Sequence, residues 1–259
     1  MPQAVRKRPG QPLSARAEAA GLRWLGEASD RVAAVVEVSD EEIATRRVPP
    51  GRPTPPAARI AGAELARIHR AGAEAFGCPP PGWEGPNYIG TQEQECRPVD
   101  SCARFYAGQR VLPFARRAHE AGNLDPEGWA LVVRACAAIP EIMGERGWEG
   151  APARIHGDLW AGNLLFGANG PVFIDPAAHG GHPVTDLAML ALFGAPYLEE
   201  IFAGYEEEAS LPGDWRASLP LHQLHPLAVH TLTHGPGYAP ELCAAARATL
   251  GLLPGAGSC

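Results

Sequence analysis

Two carboxylates and one amide set on two short apolar segments constrain this chain more than any other feature. Ile155-His156-Gly157-Asp158-Leu159-Trp160-Ala161-Gly162-Asn163 leads directly into Leu164-Leu165-Phe166. After Gly167-Ala168-Asn169-Gly170 comes Pro171-Val172-Phe173-Ile174, and then Asp175-Pro176. Two apolar runs separated by a Gly/Asn turn predict a short hairpin. Asp175 follows a run that has no room for charge until its end, which puts a carboxylate at the mouth of a buried strand. Asp158 and Asn163 leave opposite sides of a tight loop, and Gly157 and Gly162 let that loop fold closely.

The order His, Asp, Asn, then a strand-borne Asp supplies what phosphoryl transfer requires. One carboxylate orients and deprotonates an attacking hydroxyl, and oxygen ligands hold magnesium against nucleotide phosphates. Asp158 is the candidate base, and Asn163 and Asp175 are the candidate metal ligands. The plainer alternative makes Asp158 and Asn163 ordinary loop residues and Asp175 the cap of a helix starting at Pro176.

Together with Asp175-Pro176-Ala177-Ala178-His179-Gly180-Gly181 and Asp186-Leu187-Ala188-Met189-Leu190, the loop resembles the fructosamine kinase (ketosamine 3-kinase) family. Further matching pieces are Ala17-Glu18-Ala19-Ala20-Gly21-Leu22, Asn87-Tyr88-Ile89-Gly90, Phe105-Tyr106, Arg110-Val111-Leu112-Pro113 and Leu221-His222-Gln223-Leu224-His225-Pro226. The resemblance implies an α+β, protein-kinase-like bilobal fold of the aminoglycoside-phosphotransferase kind. It also implies ATP- and Mg2+-dependent phosphorylation of the sugar 3-hydroxyl of ketosamines, the adducts formed when sugars glycate amines.

In this fold a strand lysine contacts the nucleotide phosphates and a helix glutamate orients it. The resemblance puts Glu18 in the glutamate role and leaves Lys7 and Arg6 both open for the cation. It suggests that the Trp160 ring lines the sugar pocket, although the ring could equally pack the loop. His156 is read as structural, bonding backbone near Asp175. Asp186, at the start of an apolar helix, is expected to cap that helix and brace the catalytic loop. The family begins with two strands and a glycine-containing loop over the phosphates. This chain is expected to start at or just before the lysine strand, which gives a truncated small lobe and weaker stabilisation of the transferring group. Other departures are the Arg46-Arg47 pair in the hinge segment, Cys102 for a tryptophan, Pro183-Val184 for an Arg-Glu pair and Ala161 for a serine.

At 259 residues the chain can bury a substantial core as one large domain or two lobes. A formal net charge of −7 argues against nucleic-acid binding, because no extended face could neutralise a phosphate backbone. No window approaches the roughly 20 apolar residues of a membrane span. Met1-Pro2-Gln3-Ala4-Val5 lacks a signal core, so a cytoplasmic setting is expected. Cys78, Cys96, Cys102, Cys136, Cys243 and Cys259 show no paired metal spacing and read as free thiols. His222, His225, His230 and His234 have helical spacing, but Pro226 interrupts them and zinc is not expected.

Periodicity predicts a helix over 13–28, a strand over 32–38, a turn at 39–42 and a return strand over 43–45. Val48-Pro49-Pro50-Gly51-Arg52-Pro53-Thr54-Pro55-Pro56 is rich in proline, which argues against helix and central strand and marks a linker. Helices are expected over 57–76, 101–121, 126–144, 185–192, 197–209, 216–234 with a bend at Pro226, and 239–252. The expected organisation is a partial nucleotide-binding lobe at 1–48, a linker at 49–56 and a large, mainly helical catalytic and substrate lobe at 57–259. Three functions fit. They are a ketosamine kinase, a kinase of another small alcohol such as an aminoglycoside or amino alcohol, and a non-catalytic remnant that binds a ligand or partner.

Overall fold

A computed structural model describes residues 4–253. Met1-Pro2-Gln3 and Cys259, which enter the export and thiol expectations, lie outside the described residues. In chain order the elements are β1 (Ala4–Lys7), α1 (Ser14–Gly26), β2 (Val35–Val38), β3 (Ile43–Arg46), α2 (Pro55–Arg70), β4 (Asn87–Ile89), β5 (Gln92–Gln94), α3 (Cys102–Phe105), a π-helical turn (Tyr106–Val111), α4 (Leu112–Glu120) and α5 (Pro126–Arg146). They continue with β6 (Ala153–Ile155), a 3-10 turn (Ala161–Asn163), β7 (Leu164–Gly167), β8 (Gly170–Phe173), β9 (His179–Gly181), α6 (Val184–Leu192), α7 (Leu198–Glu208), a second 3-10 turn (Trp215–Ser218), α8 (Leu219–His234) and α9 (Ala239–Leu250).

Contacts group these elements into two compact units. Among the described residues one comprises 4–98 and 152–211, the other 99–151 and 212–253. In the first, β3 lies between β1 and β2 in an antiparallel sheet, with Lys7 opposite Ile43. The predicted catalytic hairpin forms with Leu164 opposite Phe173 and Gly167 opposite Gly170. Phe173 also bridges Val32, so the N-terminal half of the expected 32–38 strand serves as a link to β8 and only Val35–Val38 is ladder. β6 pairs with β9, and β4 with β5. No helix begins at Pro176, so the capping alternative for Asp175 does not hold.

The proline argument holds only up to Thr54. Thr54 caps α2 by accepting from the Ala57 N–H, and Pro55 and Pro56 form the first helical positions. Proline is tolerated there because first-turn N–H groups have no intrahelical acceptor. α2 packs closely on α7 through two glycines. A Cβ at Gly62 would meet the Ile201 carbonyl oxygen at 1.8 Å, and one at Gly204 the Arg59 carbonyl oxygen at 2.0 Å.

The second unit is helical, with α8 against α4 and α9, and α5 against α4 and α9. α8 runs unbroken through Pro226. Proline has no N–H, so the His222 carbonyl lacks its usual helical donor. The buried Tyr106 hydroxyl supplies one at 2.6 Å and accepts from the His225 N–H at 3.1 Å. The helical stretch expected over 101–121 forms as α3 and α4 joined by the π-helical turn that begins at Tyr106.

Candidate active site

Period-2 alternation along β1 sends Arg6 and Lys7 to opposite faces. Arg6 pairs with Glu37 at 2.6 Å and Glu42 at 2.5 Å on the outer face. Lys7 Nζ reaches Glu18 Oε2 at 2.8 Å and Asp175 Oδ2 at 2.9 Å. Of the two cations the sequence left open, Lys7 is the one beside Glu18. Glu18 sits on the buried face of α1, among Ala15, Ala19 and Leu22.

Asp158 and Asn163 come from the loop between β6 and β7. Asn163 Nδ2 donates to the Asp158 carbonyl at 2.7 Å, to Asp158 Oδ2 at 3.3 Å and to the Asp175 carbonyl at 3.4 Å. The amide nitrogen is thereby committed to the loop, which leaves Oδ1 as the atom for a cation. Gly157 has φ +80°, and a Cβ there would lie 2.4 Å from the Ala177 carbonyl oxygen. This close approach holds the Asp158 loop against the segment that follows Asp175. Asp175 itself has φ +54°, uncommon for a residue with a side chain.

Asp186, fully buried, accepts from the backbone N–H groups of His156 at 2.7 Å and Gly157 at 2.9 Å. The helix-capping part of its expected role fails, because the N-cap of α6 is Pro183 and Asp186 lies inside the first turn. His156 Nε2 meets the Ile174 carbonyl at 2.9 Å, which ties the loop to the strand before Asp175. Trp160 is 45% exposed, and its ring covers the space that a Cβ on Gly162 would need. The α1 residues Ser14, Ala17 and Glu18 line a cleft of about 340 Å³ together with Lys7, Asp158, Trp160, Asn163 and Asp175.

Burial pushes the Asp158 carboxyl up to about 7, with the Asp175 charge adding to the shift and the Asn163 amide opposing it. Burial likewise pushes Glu18 up to about 7 against the pull of the Lys7 charge. For Lys7, burial favours the neutral form, but the charges of Glu18 and then Asp175 outweigh it and its pKa is raised. His156 is lowered by burial and stays neutral. Burial alone would raise Asp186, but the hydrogen bond from His69 leads a set of interactions that lower it, so it remains an anion.

Sequence reasoning passed over two residues. His69, on the apolar stripe of α2, bridges Asp186 Oδ2 at 3.0 Å and the Tyr205 hydroxyl at 2.9 Å. The signal was a histidine among Leu65, Ala66 and Ile68, where a polar side chain needs a buried partner. Asn87 lines the cleft from β4. The matching piece Asn87-Tyr88-Ile89-Gly90 contained it without giving it a role, because its contacts are distant in sequence.

A fructosamine kinase family model matches residues 16–250. This chain belongs to the fructosamine kinase family. A probable ketoamine kinase from Synechocystis is 36% identical over 183 residues, covering 68% of this chain and 57% of that protein. The chain thus spans a little over half the length of that relative. The crystal structure of a putative fructosamine-3-kinase from Thermobifida fusca superposes with a TM-score of 0.87 at 44% identity, over 95% of this chain and 85% of that one. The gentamicin complex of APH(2″)-IIa superposes at TM-score 0.60 and 16% identity, over 96% of this chain and 85% of that one. The second superposition shows the fold alone, which is the protein-kinase-like α+β class. Among the described residues no helix is long and apolar enough to cross a membrane.

Proposed function

We propose that this chain is an ATP-dependent kinase that phosphorylates the sugar 3-hydroxyl of a ketosamine such as a fructosamine or ribulosamine. The observation that carries this reading is the convergence of Lys7, Glu18, Asp158, Asn163 and Asp175 on one cleft. Asp158 takes the proton from the acceptor hydroxyl as its oxygen bonds to the γ-phosphorus, and the bond to the bridging oxygen of ADP breaks. Lys7, held by Glu18, binds the phosphates. Trp160 offers a flat apolar face to the sugar ring, and the carboxylates suit an acceptor that carries an amine.

Asn163 Oδ1 and the Asp175 carboxylate form a hard oxygen donor pair of the kind magnesium takes when phosphates complete its shell. Held by these two residues, Mg2+ would supply charge neutralisation for the phosphates. In this reading residues 1–48 serve the nucleotide, 49–56 connect, and 57–259 carry catalysis and acceptor binding in a cytoplasmic enzyme.

The test is incubation with magnesium ATP and a fructosyl or ribulosyl amine beside Asp158→Asn. The wild-type protein is expected to form the 3-phosphate, with the variant reduced by roughly 10²–10⁴-fold, the span of general-base catalysis. Equal product from both, product from neither, or clear preference for an aminoglycoside or simple amino alcohol would overturn the assignment.

A further inference from the structure

The two ends of the Asp175 turn are held differently. Upstream, the Ile174 N–H donates to the Asn163 carbonyl at 3.0 Å, and the Ile174 carbonyl meets His156 Nε2. Downstream, the side chains of Pro176 and Ala178 pack on α1, where a Cβ on Gly21 would lie 3.1 Å from the Ala178 Cβ and 3.3 Å from Pro176 Cγ. α1 is the helix that carries Glu18. The same short segment also presses its Ala177 carbonyl against Gly157. The separation of Glu18, Asp158 and Asp175 is therefore set by where this segment lies.

Two side chains hold the carbonyls of the segment: His179 Nδ1, from the start of β9, meets the Ala177 carbonyl at 2.7 Å, and Asn87 reaches in from β4. Asn87, 6% exposed on β4, directs Nδ2 to the carbonyls of Ala177 at 3.3 Å and Ala178 at 3.5 Å and to Cys96 Sγ at 3.3 Å. Its Oδ1 accepts from the Tyr88 N–H at 2.8 Å, which fixes the amide so that the nitrogen faces the segment. Each carbonyl bond is long, and an amide sharing its two hydrogens among three acceptors acts as a tether of modest strength. Asp175 has φ +54°, a conformation that persists only where the surroundings hold it.

Resting on the kinase reading above, we propose that Asn87 is a positioning residue that holds the Asp175 carboxylate in register with Asn163 for the metal–nucleotide complex. Gln94 provides the control within the same hairpin. It lies directly opposite Asn87 in the β4–β5 ladder and is 4% exposed, and neither of its amide atoms has a partner among the described residues. It shares the hairpin and the burial of Asn87 without the tether.

The experiment compares the wild-type protein with Asn87→Ala, Asn87→Asp and Gln94→Leu. Asn87→Asp keeps the shape and the acceptor for Tyr88 while replacing the donor. In the ligand-free proteins, hydrogen exchange of the amides from Asp175 to Ala178 is expected to accelerate in both Asn87 variants and to stay at the wild-type rate in Gln94→Leu. Manganese binding in the presence of ADP, followed by electron paramagnetic resonance, is expected to weaken roughly 10–100-fold in the Asn87 variants, the range for outer residues that orient metal ligands. With magnesium ATP, kcat falls while KM for the acceptor holds. Unchanged exchange in the Asn87 variants, or an equal loss in Gln94→Leu, overturns the proposal. A wild-type protein that binds no manganese–ADP overturns the kinase reading instead, and the exchange rates still decide whether Asn87 tethers the turn.

Discussion

Asp158 is the residue whose environment sets its chemistry most directly. A carboxyl pushed up to about 7 is a stronger base than an exposed aspartate, and it is half protonated near neutrality. The acid limb of kcat/KM is therefore expected to fall with an apparent pKa near 7 in the free protein, measured as initial rates from pH 5.5 to 9. Stability carries the same information. The folded value lies above the ordinary one, so ionising Asp158 opposes folding as pH rises from the usual carboxylate range to about 7. Asp158→Asn removes that opposition, so its melting temperature should exceed the wild-type value at pH 8 and approach it at pH 4. Lys7 gives a second test, because it is the only lysine in the chain. An amine-directed ATP analogue should modify Lys7, and magnesium ATP should protect it, as read by peptide mass spectrometry. Modification that ATP leaves unaffected would count against its place at the phosphates.

At the scale of elements, two contacts decide whether helices sit where the site needs them. α2 supplies His69 to Asp186, and it can approach α7 only because Gly62 and Gly204 lack side chains. A methyl group at Gly62 would overlap the Ile201 carbonyl and force the helices apart. Gly62→Ala is expected to destabilise by about 1–3 kcal/mol or more, the usual scale of overpacking, measured by urea denaturation. In the helical unit, Tyr106 donates to the carbonyl that Pro226 leaves without a partner. Tyr106→Phe should cost about 1–3 kcal/mol by orphaning a buried acceptor. Combining it with Pro226→Ala should recover part of that loss, because the restored N–H can satisfy the same carbonyl.

For the whole molecule the governing quantity is charge. The chain carries a formal −7, and its cleft holds Glu18, Asp158 and Asp175 against Lys7. A free nucleotide polyanion meets net repulsion there, whereas a magnesium complex brings its own neutralising charge. Thermal unfolding should therefore respond weakly to ADP alone and strongly to ADP with magnesium. At a ligand concentration 100-fold above Kd the stabilisation is about 2.7 kcal/mol, a readily measured rise in melting temperature. An equal rise with and without the metal would place the nucleotide elsewhere.

The sequence by itself determined the geometry that is local. The hairpin from Leu164 to Phe173, the loop holding Asp158 and Asn163, and the carboxylate at the strand mouth all lie within 21 residues, from Ile155 to Asp175, where alternation and turn residues report geometry directly. The helices on either side were legible from their stripes, with errors where α2 stops at Arg70 instead of running to residue 76 and where Pro55 and Pro56 open a helix rather than forbid one. Only the tertiary structure decided between Arg6 and Lys7, because that choice depends on which face of β1 meets α1. It alone brought His69 to Asp186 across 117 residues and Asn87 to Ala177 across 90. Periodicity records which face of an element is buried, whereas the partner on that face is fixed by packing between elements far apart in the chain.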